Sequence, residues 1–193
     1  MTTFLLIRHA SHDLLGKALA GRSDIPLNAK GSREAAQLAE RLVSAEMRQC
    51  FSSPARRARE TAEPIAAKCG VEMQIHHGIG EIDFGAWTGH TLLELESDPE
   101  WPVWVNRRSA AQPPDGETIS AVQRRVMATL HELAPGGGTI ALVSHGDVIK
   151  AALAHVLAMS LDHLERFDVA PASVSVVAMN GAWSRVESMN GSG

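Results

Sequence analysis

Phe4-Leu5-Leu6-Ile7 is an unbroken apolar run that ends on Arg8-His9-Ala10. Four apolar residues without polar alternation predict a strand covered on both faces, central in a parallel or mixed sheet. Arg8 and His9 then fall at its C-terminal end, where open α/β sheets place their ligands. Arginine offers a forked donor suited to phosphate, and histidine is a competent nucleophile. The stretch from Thr139 to Val143 repeats the pattern and ends on Ser144-His145-Gly146-Asp147. If the two strands run parallel at the sheet centre, His9 and His145 converge at one rim.

Helical and strand patterns alternate along the rest of the chain. Ser11 to Asn28 has no periodicity and holds Gly16, Gly21 and Pro26, which predicts a long loop leaving the first strand. A helix is expected from about Ser32 to Glu46, with Ala35, Leu38, Ala39, Leu42 and Val43 on one face. A short strand follows near Cys50-Phe51. Ser53-Pro54 is read as the start of a second helix that reaches Lys68, stops at Gly70 and kinks at Pro64. Val71 to Ile75 reads as a strand, and Thr118 to Leu133 and Val148 to Met159 as helices. Val174 to Met179 reads as a third apolar strand, with an edge strand at Trp183 to Ser188. The order predicts an α/β fold: a three-layer α/β/α sandwich with a central mixed, mostly parallel sheet. One domain is expected over 1–193, with irregular pocket-wall segments at 11–28 and 78–114 and a short helix near Thr91 to Leu95.

A chain of 193 residues can bury a full core without disulfide staples. Its net charge of −4 argues against a nucleic-acid binder that relies on a broad basic field. No apolar stretch approaches the length of a membrane span. Cys50 and Cys69 show neither metal-ligand spacing nor a disulfide framework, so a reducing, cytoplasmic setting is expected. A monomer and a homodimer both stay open.

Polar groups gather at four element ends. Ser53-Pro54-Ala55-Arg56-Arg57 puts arginines in the first turns of a helix, where a nearby anion would offset their conflict with the helix dipole. Glu81 lies among Ile79, Ile82 and Phe84, surroundings that would raise a carboxyl toward the range of a general acid. His145-Gly146, at a strand-to-helix turn, can donate to an anion through the ring and through backbone N–H groups. His76-His77 is the only adjacent histidine pair, and no third ligand is patterned around it, so no metal is expected there. Trp87, Trp101, Trp104 and Trp183 read as core and pocket wall.

These segments resemble the histidine phosphatase superfamily, the phosphoglycerate mutase-like group, over nearly the whole chain. Leu6-Ile7-Arg8-His9-Ala10 resembles the family's Arg-His-Gly signature, with Ala10 in place of glycine. The segment from Ser52 to Ala62 resembles its second motif, with the arginine falling on Arg57 rather than Arg56. The segment from Glu81 to Gly89 resembles its acid loop, Pro114-Asp115-Gly116-Glu117-Thr118 the turn of its phosphatase branches, and Val143-Ser144-His145-Gly146 its second histidine motif. The resemblance implies that His9 attacks phosphorus, that Arg8, Arg57 and His145 cradle the phosphoryl oxygens with Gly146 beside them, and that Glu81 moves the proton. It implies a metal-independent phosphomonoester hydrolase that needs no cofactor and takes a phosphorylated small molecule. The family's mutases hold phosphoglycerate with residues that Ser11-His12-Asp13-Leu14-Leu15 replaces here, although Arg107-Arg108 resembles a mutase arginine pair. A phosphatase is therefore expected over a cofactor-dependent mutase or a non-catalytic phospho-ligand module. The Ala10 methyl is expected to narrow the pocket beside the nucleophile.

Overall fold

The computed structural model describes residues 1–192. The elements in chain order are β1 (Thr2–Arg8), α1 (Ala29–Leu42), β2 (Met47–Ser52), α2 (Arg56–Cys69), β3 (Met73–Ile75), α3 (Leu92–Leu95), α4 (Trp101–Asn106), α5 (Ile119–Leu133), β4 (Gly138–Ser144), α6 (Gly146–Val156), β5 (Val174–Asn180) and β6 (Trp183–Gly191). The six strands form one sheet in the order β3-β2-β4-β1-β5-β6. The first four are parallel, and β5 pairs antiparallel with both β1 and β6. The sheet is mixed and mostly parallel, with helices on both faces.

The apolar run of β1 is divided between two cores, which is why it has no polar alternation. Leu5 and Ile7 pack with Leu38, Ala39, Ala62 and Ile65 of α1 and α2. Phe4 and Leu6 pack on the opposite face with Ile119, Val126 and Leu130 of α5 and with Val148, Ala152 and Leu153 of α6. Strands β1 and β4 pair in parallel with Arg8 opposite Ser144. The His9 N–H bonds the Ser144 carbonyl at 2.9 Å, so the two strands end side by side.

Several element ends differ from the expected ones. The α1 helix starts three residues early because the Asn28 side chain accepts the Gly31 N–H at 2.9 Å and caps it there. The α2 helix starts late, at Arg56, and its N-cap Ala55 makes no side-chain cap bond. Ser53, the expected cap, lies against His145 at 2.7 Å and accepts the Ala55 N–H at 3.3 Å, one residue before the helix begins. Helix α2 also runs unbroken from Arg56 to Cys69 through Pro64. Helix α6 begins at Gly146, two residues before the expected start, directly after His145. The β2 strand extends over Met47–Ser52, longer than the pair expected.

The expected irregular centre holds α4, whose Trp104 is buried against Trp87, with centroids 6.0 Å apart, and against Phe84. Trp183 departs from expectation: it lies on the outermost strand and is 47% exposed. Ala10 departs as well. Its side chain is fully buried in the α1–α2 core and does not line the cleft beside His9, so the extra methyl costs the pocket no room.

Candidate active site

His9 follows the last residue of β1 and is 3% exposed. Its Nδ1 lies 2.9 Å from the carbonyl of Ala10. A carbonyl can only accept, so Nδ1 carries the proton and Nε2 keeps its lone pair. Burial, with the neighbouring His145 and Arg57, holds the ring well below the usual histidine value. His9 is therefore neutral at pH 7. The Ala10 N–H is in turn fixed by Thr61 Oγ1 at 3.0 Å, and Thr61 bonds the Arg57 carbonyl at 2.7 Å, which ties the loop after β1 to α2.

Arg57 lies in the first turn of α2 and is fully buried. Its Nε sits 3.3 Å from His9 Nε2, and Nη2 lies 3.4 Å from Glu81 Oε2 and 3.3 Å from His145 Nδ1. The remaining donors are held by the carbonyls of Gly21 at 2.8 Å and Ser23 at 3.2 Å. The loop after β1 thus supplies two fixed acceptors that aim the guanidinium. Arg56, one residue earlier, faces outward and pairs with Glu60 at 2.7 Å.

His145 is fully buried, with ring centroids 5.1 Å from His9. Its Nδ1 is 3.2 Å from Glu81 Oε2, and its Nε2 is 2.7 Å from Ser53 Oγ. Burial lowers its pKa against the opposing pull of Glu81, so the resting ring is neutral. The Glu81 carboxyl behaves differently from the raised value expected from Ile79, Ile82 and Phe84. Burial does push it upward, but the hydrogen bond from His145 and the charge of Arg57 outweigh burial and hold it well below the ordinary range. The apolar neighbours are buried in the core, while the carboxylate turns toward Arg57 and His145. Gly85 closes this loop: its φ is +51°, and a Cβ there would fall 2.0 Å from the Pro114 carbonyl. The Pro114 to Thr118 turn thereby packs on the acid loop.

Arg8 donates through Nη1 to the Val169 carbonyl, while its buried Nε has no partner. A Cβ at Gly146 would lie 3.3 Å from Arg8 Cζ, so glycine leaves room for the guanidinium. Arg8, His9, Glu81 and Gly146 line one cleft of about 210 Å³, whose outer wall includes Leu15, Leu19, Phe84, Lys150 and Asp168. Arg57 and His145 lie behind it. All six residues singled out in the sequence therefore meet at one rim. His12 and Ser53 were not singled out for the site. The one signal for His12 was a histidine in the loop directly after β1, and Ser53 read as a helix cap.

The donor atoms of His9, Glu81 and His145 lie within 4.8 Å of one another, a set that could ligate a metal ion. The guanidinium of Arg57 already stands among them, within 3.4 Å of all three side chains. A permanent cation in that position repels a metal and satisfies the same lone pairs.

The histidines make stability depend on pH in a definite direction. His9, His145 and His12, the last lowered to about 4 chiefly by burial, all sit below the ordinary value of 6.5. The unfolded chain binds protons that these rings refuse, so stability is complete above about pH 6.5 and falls as pH drops toward 4. Urea unfolding is expected to lose on the order of 2–4 kcal/mol between pH 7 and pH 5. A flat profile over that window would contradict burial of neutral rings.

A family model described as the histidine phosphatase superfamily (branch 1) matches residues 4–192. The chain belongs to that superfamily. Among the relatives of this histidine phosphatase is a protein named probable phosphoglycerate mutase GpmB from Salmonella arizonae. It is 31% identical over 164 residues, covering 82% of this chain and 76% of the relative. Among solved structures, YhfR of Bacillus stearothermophilus superposes with a TM-score of 0.93 at 27% identity, covering 99% of this chain and 98% of that one. A phosphoserine phosphatase from Entamoeba histolytica, in complex with phosphoserine, superposes with a TM-score of 0.90 at 27% identity, covering 100% of this chain and 98% of that one. Among the described residues no helix is long and apolar enough to cross a membrane.

Proposed function

We propose that this histidine phosphatase hydrolyses a phosphorylated small molecule through a phosphohistidine on His9, without a metal ion. The observation that carries the reading is the His9 hydrogen bond to the Ala10 carbonyl, which leaves a neutral ring with its Nε2 lone pair facing Arg57. Nε2 attacks phosphorus, and the bond to the leaving oxygen breaks. Arg8, Arg57 and His145 take the charge on the phosphoryl oxygens, the dominant demand of phosphoryl transfer. The resting Glu81 is a carboxylate, so the proton it passes to the leaving oxygen arrives with the substrate, whose phosphate has its second ionisation near about pH 6. Arrival of the anion draws Arg57 away from Glu81, which lets the carboxyl hold that proton. In the second half Glu81 takes a proton from water, oxygen attacks phosphorus, the P–N bond breaks and phosphate leaves.

The mutase reading draws on the GpmB relatives and on the neighbouring phosphoserine phosphatase, whose structure has also been solved with 3-phosphoglyceric acid. The fate of the arginine pair favours hydrolysis. Arg108 donates to Asp147, pairs with Glu165 at 3.2 Å and stacks over Trp104 at 5.0 Å. Arg107 is exposed, and neither arginine lines the cleft at His9. Among the described residues Arg8 is therefore the one arginine lining the cleft, and it serves the phosphoryl group rather than a second acidic group. Leu15, Leu19 and Phe84 beside Lys150 and Asp168 suit a small organic phosphate. Both cysteines are free thiols, in keeping with a cytoplasmic setting.

The deciding assay is hydrolysis of p-nitrophenyl phosphate in excess EDTA. Full activity is expected, because the charge a metal would supply comes from Arg8 and Arg57. Activity lost in EDTA and restored by a divalent ion would overturn the metal-independent route. A rate that depends on added bisphosphoglycerate would favour the mutase.

A further inference from the structure

We propose that His12 is a further ligand of the transferred phosphoryl group, a neutral donor beside the nucleophile; the proposal rests on the phosphatase reading above. The side chain is 5% exposed, yet it is not core: it lines the cleft with Arg8 and His9, and its ring lies 5.2 Å from that of His9. Its Nδ1 is enclosed and has no hydrogen-bond partner, and among the described residues no hydrogen bond reaches Nε2 of this cleft-lining ring either. A buried polar ring that bonds nothing costs stability, and phenylalanine or leucine would fill the same space without that cost. The tautomer follows from the enclosure. An orphaned lone pair is tolerated better than an orphaned N–H, so Nδ1 is bare and the proton sits on Nε2, pointing into the cleft.

The neighbouring groups say what Nε2–H is for. Arg8 Nε is also buried without a partner and borders the same cleft. Two unmatched donors on residues that line the cleft with His9 fit an anion with several acceptor oxygens. Burial, with the positive neighbours Arg57 and Arg8, keeps the His12 ring uncharged, and no acidic side chain bonds it. His12 thus adds a donor without adding charge, and it leaves His9 neutral. A third cation in its place would hold the phosphate product more tightly.

The test compares the unaltered chain with H12F and H12Q, using p-nitrophenyl phosphate as substrate and orthovanadate as the phosphoryl mimic. H12F keeps the shape and removes the donor. Its kcat/KM is expected to fall about 30-fold, with a matching loss of vanadate affinity and a Tm equal to or above the original. H12Q, which restores a neutral N–H, is expected to recover part of both. In the unaltered chain, vanadate should move the His12 Nε2–H proton resonance downfield while Nδ1 stays unprotonated, a readout that no folding defect in a variant can imitate. H12F with normal kcat/KM and vanadate affinity, or a His12 resonance indifferent to vanadate, overturns the role of His12 alone. An unaltered chain that neither hydrolyses the ester nor binds vanadate overturns the phosphatase reading and this inference with it.

Discussion

His9→Ala is expected to abolish both turnover and the acid-labile phosphoenzyme. Loss of the nucleophile removes the covalent route itself, so the fall should be at least about 10,000-fold. His145 lies 5.1 Å from His9, ring to ring, but its nitrogens are engaged with Glu81 and Ser53 and present no free lone pair to phosphorus. His145→Ala should therefore slow phosphoenzyme formation about 100–1,000-fold and leave some detectable on a longer time base. Glu81→Gln should still form phosphoenzyme from a nitrophenyl ester, whose leaving group needs no proton, and should then stall in hydrolysis because no base activates water. Rapid quench with labelled substrate separates the three variants. Label mapped to His145, or fast turnover with no phosphoenzyme, would reject the assignment.

Arg57→Ala should cost about 2–4 kcal/mol of transition-state stabilisation, whereas Arg56→Ala should change kcat/KM by less than about threefold. Arg57 is fully buried and reaches His9, Glu81 and His145, while Arg56 forms one exposed pair with Glu60. The Arg57 change has a second expected effect. It removes the cation that stands among three ligand atoms lying within 4.8 Å of one another. Two histidines and a carboxylate without that guanidinium suit Zn²⁺. Calorimetric titration should show about micromolar Zn²⁺ binding in Arg57→Ala and none of that strength in the unaltered chain. Equal binding in both would mean that Arg57 does not occupy the metal position, and a crippling Arg56→Ala would mean that the arginines had been assigned in the wrong order.

What the sequence determined by itself was the part carried by local pattern. Apolar runs at Phe4–Ile7 and Thr139–Val143 identify buried strands because only a strand covered on both faces drops the polar alternation. Their polar ends placed Arg8, His9 and His145 at strand termini, Glu81, Gly146 and the Arg56-Arg57 pair stood out at other element ends, and the family motif chose Arg57 over Arg56. Element ends were less legible wherever a side chain had a stronger partner elsewhere. Ser53 read as a helix cap, and its hydroxyl does accept the Ala55 N–H, but its shorter bond goes to His145 across 92 positions of chain.

The tertiary structure alone decided charge, protonation and the direction in which side chains point. Glu81 sits in an apolar stretch of sequence, yet its carboxyl is held ionised because His145 and Arg57 arrive from two other elements. The Ala10 methyl belongs to the α1–α2 core, a consequence of which face it takes after β1 ends. Arg108 reads as a substrate arginine until Asp147, Glu165 and Trp104 close around it. His12 looks like an ordinary loop residue until the fold buries it with its Nδ1 unpartnered beside His9. Electrostatic and hydrogen-bond energies fall off over a few ångströms of space, whatever the separation along the chain, so local sequence identifies the groups and the assembled fold sets what each one does.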